Sequence, residues 1–252
     1  MQVQLIGLSG IPLIDTGDDL GSILRKSIVD FGLTLQSGDV LVVTSKIVSK
    51  SEGRWVDLNS VTPDAEALRV AEECGKDPRE VALILNESIR ISRIRQNLLI
   101  TEHRLGFISA NAGMDHSNTR PGGNWRLLLP LDPDGSARRL RDQLSAEFGV
   151  TIAVVISDSH GRPFRLGVVG AAIGSAGLPA LWDLRGNPDL FGMALQVTDV
   201  GFADEIAAAA GLVLGQANEA IPAVLVRGLT YPVSETARTA DLIRPPEMDL
   251  YR

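Results

Sequence analysis

The chain has 252 residues, 44% hydrophobic and 22% charged, with a formal net charge of −7 and one cysteine. That size can bury a large core, as one domain or as two interlocked lobes. The acidic balance argues against general nucleic-acid binding, Cys74 alone excludes an internal disulfide or a thiolate metal cluster, and no apolar run approaches the ~20 residues that span a bilayer. Met1-Gln2-Val3-Gln4 lacks the basic region of a signal peptide, so the chain is expected to be cytoplasmic.

Residues 3–8 alternate loosely, as a first strand would. Gly10-Ile11-Pro12-Leu13-Ile14 is an apolar loop, either structural or the floor of a base pocket. Asp18 or Asp19 caps a helix predicted to run to about residue 31, with Leu20, Ile23, Leu24 and Ile28 on one face. Residues 40–44 are a buried-strand pattern. They run into Ser45-Lys46-Ile47-Val48-Ser49-Lys50-Ser51-Glu52-Gly53-Arg54, read as a polar loop beyond a strand end, where α/β sheets place their ligands. Lysine is scarce here, four against twenty arginines, yet two of the four fall in this stretch. They suit phosphate oxygens, or simply an exposed loop.

Two helices are predicted over residues 63–75 and 78–89, with Cys74 a small core residue in the first and proline in the first turn of the second. The sequon Asn86-Glu87-Ser88 is accidental in such a helix. Arg90, Arg93 and Arg95 follow on a strand, facing either solvent or an anionic substrate. A hairpin over residues 98–102 and 105–109 delivers Asn111-Ala112-Gly113-Met114-Asp115-His116-Ser117-Asn118. This set suits oxygen ligation of a hard cation, or an Asx-rich turn that caps itself. After a short strand at 125–129, Asp132 as N-cap, Pro133 and Gly149 bracket a structural helix.

Residues 151–156 form the most hydrophobic strand, expected to end in the loop Ser157-Asp158-Ser159-His160-Gly161-Arg162-Pro163. Asp115 and Asp158, from different strands, could converge on a divalent cation bridged to phosphates. The glycines of residues 166–177 fit neither a dinucleotide fingerprint nor a Walker A loop and suggest close packing. A small-residue helix over 203–214, a polar turn at 215–219 and a strand at 223–226 complete the core. His103, His116 and His160 are too dispersed for zinc, and no nucleophile elbow is present. Oxygen-ligated metal and phosphate chemistry remains.

Several segments together resemble the coenzyme F420-0:L-glutamate ligase family, also called F420:gamma-glutamyl ligase. They are Gly10-Ile-Pro-Leu-Ile14, Gly17-Asp-Asp-Leu20, Val48-Ser-Lys-Ser-Glu-Gly-Arg54, the stretch from Asn111 to Asn118, Leu131-Asp-Pro-Asp-Gly-Ser-Ala137, Ser157-Asp-Ser-His-Gly-Arg162, Ala172-Ile-Gly174, Ala203-Asp-Glu-Ile206, and Gly215 with Ile221-Pro222. They follow the family's order across nearly the whole chain.

The resemblance implies a mixed α/β (α+β), two-lobed fold over residues 1–252 and a homodimer. It also implies GTP-dependent addition of L-glutamate to the lactyl carboxylate of coenzyme F420-0, with Mg²⁺ or Mn²⁺ at two sites and K⁺. Carried over by position, Ile11, Pro12, Leu13, Ile14, Ser45, Lys46, Lys50 and Asn118 match GTP contacts. So does the loop of Leu214, Gly215, Gln216, Ala217, Asn218, Glu219, Ala220 and Ile221. Asp115 and Asp158 match ligands of one metal, Ser159 and Gln216 those of the second. Two departures stand out: Ser159 where threonine can occur, and Gln216 where glutamate can occur, which leaves a neutral, weaker oxygen donor. Lys50 and Arg162 are candidates to stabilise phosphoryl charge. The competing readings are a metal-dependent phosphohydrolase and a non-catalytic GTP-binding domain.

Overall fold

The computed structural model describes residues 2–118, 120 and 122–249. In chain order the elements are β1 (Gln4–Leu8), α1 (Leu20–Asp30), β2 (Val40–Thr44), α2 (Ser45–Ser51), β3 (Trp55–Asp57), α3 (Ala65–Cys74) and α4 (Pro78–Asn86). Then follow β4 (Ser88–Arg95), β5 (Leu98–His103), β6 (Ile108–Ala110), β7 (Trp125–Leu127), α5 (Pro133–Phe148), β8 (Ala153–Arg162) and β9 (Arg165–Ala176). β10 (Trp182–Asp183), β11 (Asp199–Val200), α6 (Phe202–Leu214) and β12 (Ala223–Arg227) complete the fold. The class is mixed α/β.

The central sheet has the order β1-β12-β2-β8-β9, with β2 and β8 parallel and the other neighbours antiparallel. Val40, Leu41, Val42 and Val43 are all fully buried, because helices cover both faces of the strand. Leu41, Val43, Val154, Ile156 and Leu225 join Leu24, Ile28, Leu140 and Leu144 of α1 and α5 on one face. Val40, Val42, Val155, Val224 and Val226 meet Ala203, Ile206, Ala207 and Ala210 of α6 on the other. Each fully buried aliphatic side chain contributes roughly 1.5–3 kcal/mol of transfer free energy.

A third cluster sits apart, where Ala67, Val70 and Cys74 of α3 pack on Val81 and Ile84 of α4 and on Leu99 of β5. Beside it the sheet β4-β5-β6 exposes Arg90, Arg93 and Arg95. Helix boundaries follow the caps. Asp19 accepts from Ser22 N at 3.1 Å, Asp64 from Ala67 N at 2.8 Å and Asp132 from Gly135 N at 2.9 Å. Gly75 and Gly149 close α3 and α5 in the left-handed region, as C-cap glycines do.

Three elements differ from the sequence reading. Residues 45–51 are helix, not loop, because Ser45, Ile47, Val48 and Ser49 are buried. Helix α4 ends at Asn86 instead of reaching residue 89, because Glu87 turns aside to meet Arg54 and Arg104. Residues 157–162 continue β8, paired with β9 across a register shift between Ile156 and Ser157. Two half-buried carboxylates brace that irregular stretch of β9: Asp204 of α6 accepts from Ala172 N and Asp134 of α5 from Ser175 N, each at 2.8 Å. Burial raises both carboxyls, against those backbone donors.

Candidate active site

The parallel ladder of β2 and β8 stops at the Thr44–Ser157 pair. Beyond it, α2 leaves one strand while β8 runs on against β9 alone, and a cleft of about 960 Å³ opens there. Its walls are built from residues 11–15, the first turns of α2, residues 110–118, the middle of β8 and residues 214–222.

Asp115 is held by its backbone. It exchanges N–H···O bonds of 2.9 and 3.0 Å with Leu127 of β7. The approach is a left-handed turn in which Asn111 (φ 50), Ala112 (φ 52) and Gly113 (φ 67) follow one another. Ala112 is buried and carries a strained backbone there, while Gly113 suits the bend, and a Cβ on it would lie 2.6 Å from Leu129 Cδ1. Burial pushes the Asp115 carboxyl above its ordinary range. Lys46 opposes the shift and Asp158 reinforces it.

Asp158 sits mid-strand, opposite Ala171. Ser45 Oγ donates to its Oδ1 at 2.7 Å, and His160 Nε2 lies 3.3 Å from its Oδ2. Next to it, Ser159 Oγ donates to Gln216 Oε1 at 2.7 Å. Asn118 Nδ2 donates to Ala217 O at 3.2 Å, joining the Asp115 loop to the loop after α6. Within that loop Glu219 accepts from Ala217 N at 2.8 Å, which lowers its carboxyl below the usual range.

Because residues 45–51 are helical, Lys46 and Lys50 lie one turn apart on one face. Lys46 Nζ is 3.4 Å from Asp115 Oδ2 and 3.4 Å from Ser117 O. Lys50 Nζ lies 5.7 Å from the centre of the Trp55 ring. Burial lowers the Lys50 ammonium, as does Lys46, while Asp115 and Asp15 pull it back up.

Ile11 to Ile14, Ser45, Lys46, Lys50, Asn118, Asp115, Asp158, Ser159 and residues 214–221 therefore share one cleft. Arg162 lies outside it. It ends β8 at the hairpin turn, with Nη2 donating to Leu166 O at 3.1 Å. Asp15, Trp55 and Arg120 also line the cleft, and sequence reasoning missed them. Arg120 adjoins a Pro-Gly-Gly stretch that reads as loop, and nothing local announces its indole neighbours.

Among the described residues no three His, Cys, Asp or Glu side chains group as a metal site. Asp115, Asp158, Ser159 and Gln216, which all line the cleft, offer two carboxylates, a hydroxyl and an amide oxygen. That set fits a hard cation held partly by substrate phosphates. The tension between Asp115 and Asp158 is what such a cation relieves.

Fold and site define a mixed α/β protein with an oxygen-rich, lysine-lined cleft at the carboxyl end of a parallel strand pair. Residues 10–228 match the family described as F420-0:Gamma-glutamyl ligase, and the chain belongs to that family. It is 45% identical over its full length to the whole of a protein named Coenzyme F420:L-glutamate ligase from Methanothermobacter thermautotrophicus. It is 41% identical to one of that name from Methanocaldococcus jannaschii, covering all of this chain and 97% of that one. A third, from Methanopyrus kandleri, is 46% identical over 94% of this chain and 92% of its own. No helix among the described residues is long and apolar enough to cross a membrane.

Proposed function

We propose that the chain is a GTP-dependent ligase that adds L-glutamate to the lactyl carboxylate of coenzyme F420-0, and further gamma-linked glutamates, in the cytoplasm. One observation carries the reading: the positions that match the family's nucleotide and metal contacts, drawn from five separate segments, line a single cleft. Relatives of nearly equal length bear the corresponding name.

A carboxylate resists direct attack by an amine and must first be activated. Its oxygen attacks the γ-phosphorus, GDP leaves, and an acyl phosphate forms. The amine of glutamate then attacks the acyl carbon, expelling phosphate and losing a proton. Lys46 and Lys50 neutralise phosphoryl charge as it develops. Ile11 to Ile14 supply an apolar wall for the base. Asn118 and residues 214–221 close around the nucleotide. Asp115 and Asp158 would hold one Mg²⁺ or Mn²⁺, and Ser159 with Gln216 a second, with K⁺ as an auxiliary ion. Such cations supply charge neutralisation at the phosphates.

A homodimer belongs to the same reading. Phe164 and Leu166 at the β8–β9 turn and Leu190 and Phe191 before β11 are 88–99% exposed, large apolar side chains of the kind that a second copy would cover.

The test is incubation with F420-0, GTP, Mn²⁺ and glutamate, followed by mass spectrometry. Glutamate-extended product supports the ligase. Its absence, beside a control ligase that extends the same substrate, would overturn the reading. Nucleotide hydrolysis indifferent to glutamate and F420-0 would favour a phosphohydrolase.

A further inference from the structure

Resting on the ligase reading, the remaining question is where the incoming amino acid puts its carboxylates. The described cations that line the cleft are Lys46, Lys50 and Arg120. Lys46 is engaged by Asp115, and Lys50 lies one helical turn further along the same face. Both are ammonium groups, which suit phosphate oxygens as point charges. A guanidinium instead offers a planar fork that matches a carboxylate.

Arg120 is built for that purpose. Its guanidinium carbon lies 4.9 Å from the ring centres of both Trp55 and Trp125. Two indoles thus occupy or flank the guanidinium faces and limit the orientations of its N–H edge. A carboxylate already occupies that edge. Arg120 Nη2 donates to Asp15 Oδ1, across 105 residues of chain. Asp15 belongs to the loop that follows residues 11–14, and Thr16 N donates to the same oxygen at 2.8 Å. These donors hold its carboxyl below the usual range, Thr16 first and Arg120 second. The Asp15 side chain is 66% exposed, and pairs of that exposure hold weakly and exchange readily.

We propose that Arg120, positioned by Trp55 and Trp125, takes a carboxylate of the incoming glutamate, and that Asp15 is an internal stand-in which the substrate displaces. The cleft then separates its anions by chemistry, with phosphates on the lysines and the amino-acid carboxylate on the arginine. Asp15 also closes the empty subsite, so that Arg120 is not left as an unpaired cation for other anions.

Steady-state extension of F420-0, read by mass spectrometry, tests this with glutamate and GTP varied separately. Arg120→Ala is expected to raise the KM for glutamate by about tenfold to a hundredfold, with the KM for GTP within about twofold of the original. Arg120→Lys restores part of the loss, because the charge returns without the fork. Asp15→Asn lowers the KM for glutamate, since it removes the competitor, an effect that a purely structural role would not produce. An Arg120→Ala protein that extends F420-0 with an unchanged KM for glutamate overturns the proposal, and so does an equal rise in the KM for GTP. Calorimetric binding of glutamate to the wild type and to Arg120→Ala judges the subsite even without turnover. Failure of the wild type to extend F420-0 would count against the ligase reading, whereas equal glutamate binding by the two proteins would count against this one.

Discussion

Ser45 and Asp158 lie 113 residues apart and share a 2.7 Å hydrogen bond from hydroxyl to carboxylate. The contact follows from register. Thr44 pairs with Ser157 in the parallel ladder, so the next residue on each strand leaves the ladder at the same level. Ser45 thereby fixes one oxygen of Asp158 and leaves the other turned toward His160. Ser45→Ala is expected to raise the Mn²⁺ concentration needed for half-maximal activity by about tenfold, as loss of an outer hydrogen bond to a metal ligand does. Metal titration at saturating GTP checks it, and an unchanged midpoint would remove Ser45 from this role.

Asp115 is placed by its backbone and Asp158 by strand pairing, so neither carboxylate is required for the local fold. Asp115→Asn and Asp158→Asn should each abolish glutamate addition while circular dichroism and the melting temperature stay near the original. Asp115→Asn should even stabilise the protein slightly, since burial already disfavours the charged carboxyl. Full activity in either variant would take that residue out of the metal site.

Much of this was legible in the chain. β2 and β8 stood out because buried parallel strands are continuously apolar, and α5 because its caps and its stripe of Ala137, Leu140 and Leu144 agree. The helix over residues 45–51 was harder to see. Seven residues hold too few turns to establish a period, and its polar face is the part that meets the cleft. Asp158 was expected at a strand end. It lies at the end of the β2–β8 ladder but inside the β8–β9 hairpin, and only the partner strand distinguishes the two. The meeting of Arg120 with Trp55, Trp125 and Asp15 depends on the pairing of β3 with β7 and on two loops distant in sequence, and leaves no local periodicity.

Gly170 is where β9 meets α6. A Cβ there would lie 2.4 Å from Ala207 O and 2.8 Å from its carbonyl carbon, both backbone atoms. Relief requires the helix to move off the sheet, and α6 leads directly into residues 214–221 of the cleft. Gly170→Ala should cost about 2 kcal/mol, a drop of roughly 4–8 °C in melting temperature for a chain of this size. It should also raise the KM for GTP. A melting temperature unchanged by scanning calorimetry would contradict this account of the contact.

Glu87 makes the stability of the protein sensitive to acid. Burial pushes its carboxyl up, but His103, Arg54 and Arg104 outweigh burial and bring it from 4.5 down to about 2. Arg54 Nη2 and Arg104 Nε donate at 2.9 and 3.0 Å, and His103 Nε2 stands 3.6 Å away as an electrostatic neighbour. A carboxyl depressed in the folded state contributes its stability in full above pH 4.5 and loses it as pH falls toward 2. The contribution is roughly 2 kcal/mol after allowance for solvent screening. Glu87→Gln should therefore be less stable at pH 7 and show a flatter decline in acid. Urea unfolding at several pH values measures both, and parallel curves for the two proteins would refute it.

Gln216 offers a test in the direction of gained function. Its Oε1 accepts from Ser159 at 2.7 Å, so the two second-metal candidates are already oriented toward each other. The amide contributes a neutral oxygen where a carboxylate would contribute charge. Gln216→Glu keeps length and shape, retains an acceptor for Ser159, and adds a negative charge at a site where the proposed ion is positive. The half-saturating Mn²⁺ concentration should fall severalfold, with the KM for glutamate unaffected. Without metal, the same variant adds a further carboxylate to a cleft that already holds Asp15, Asp115, Asp158 and Glu219, and a lower melting temperature is expected in chelator than in Mn²⁺. Should Gln216→Glu leave the metal midpoint and the chelator-dependent melting unchanged, the second cation does not bind at Ser159 and Gln216.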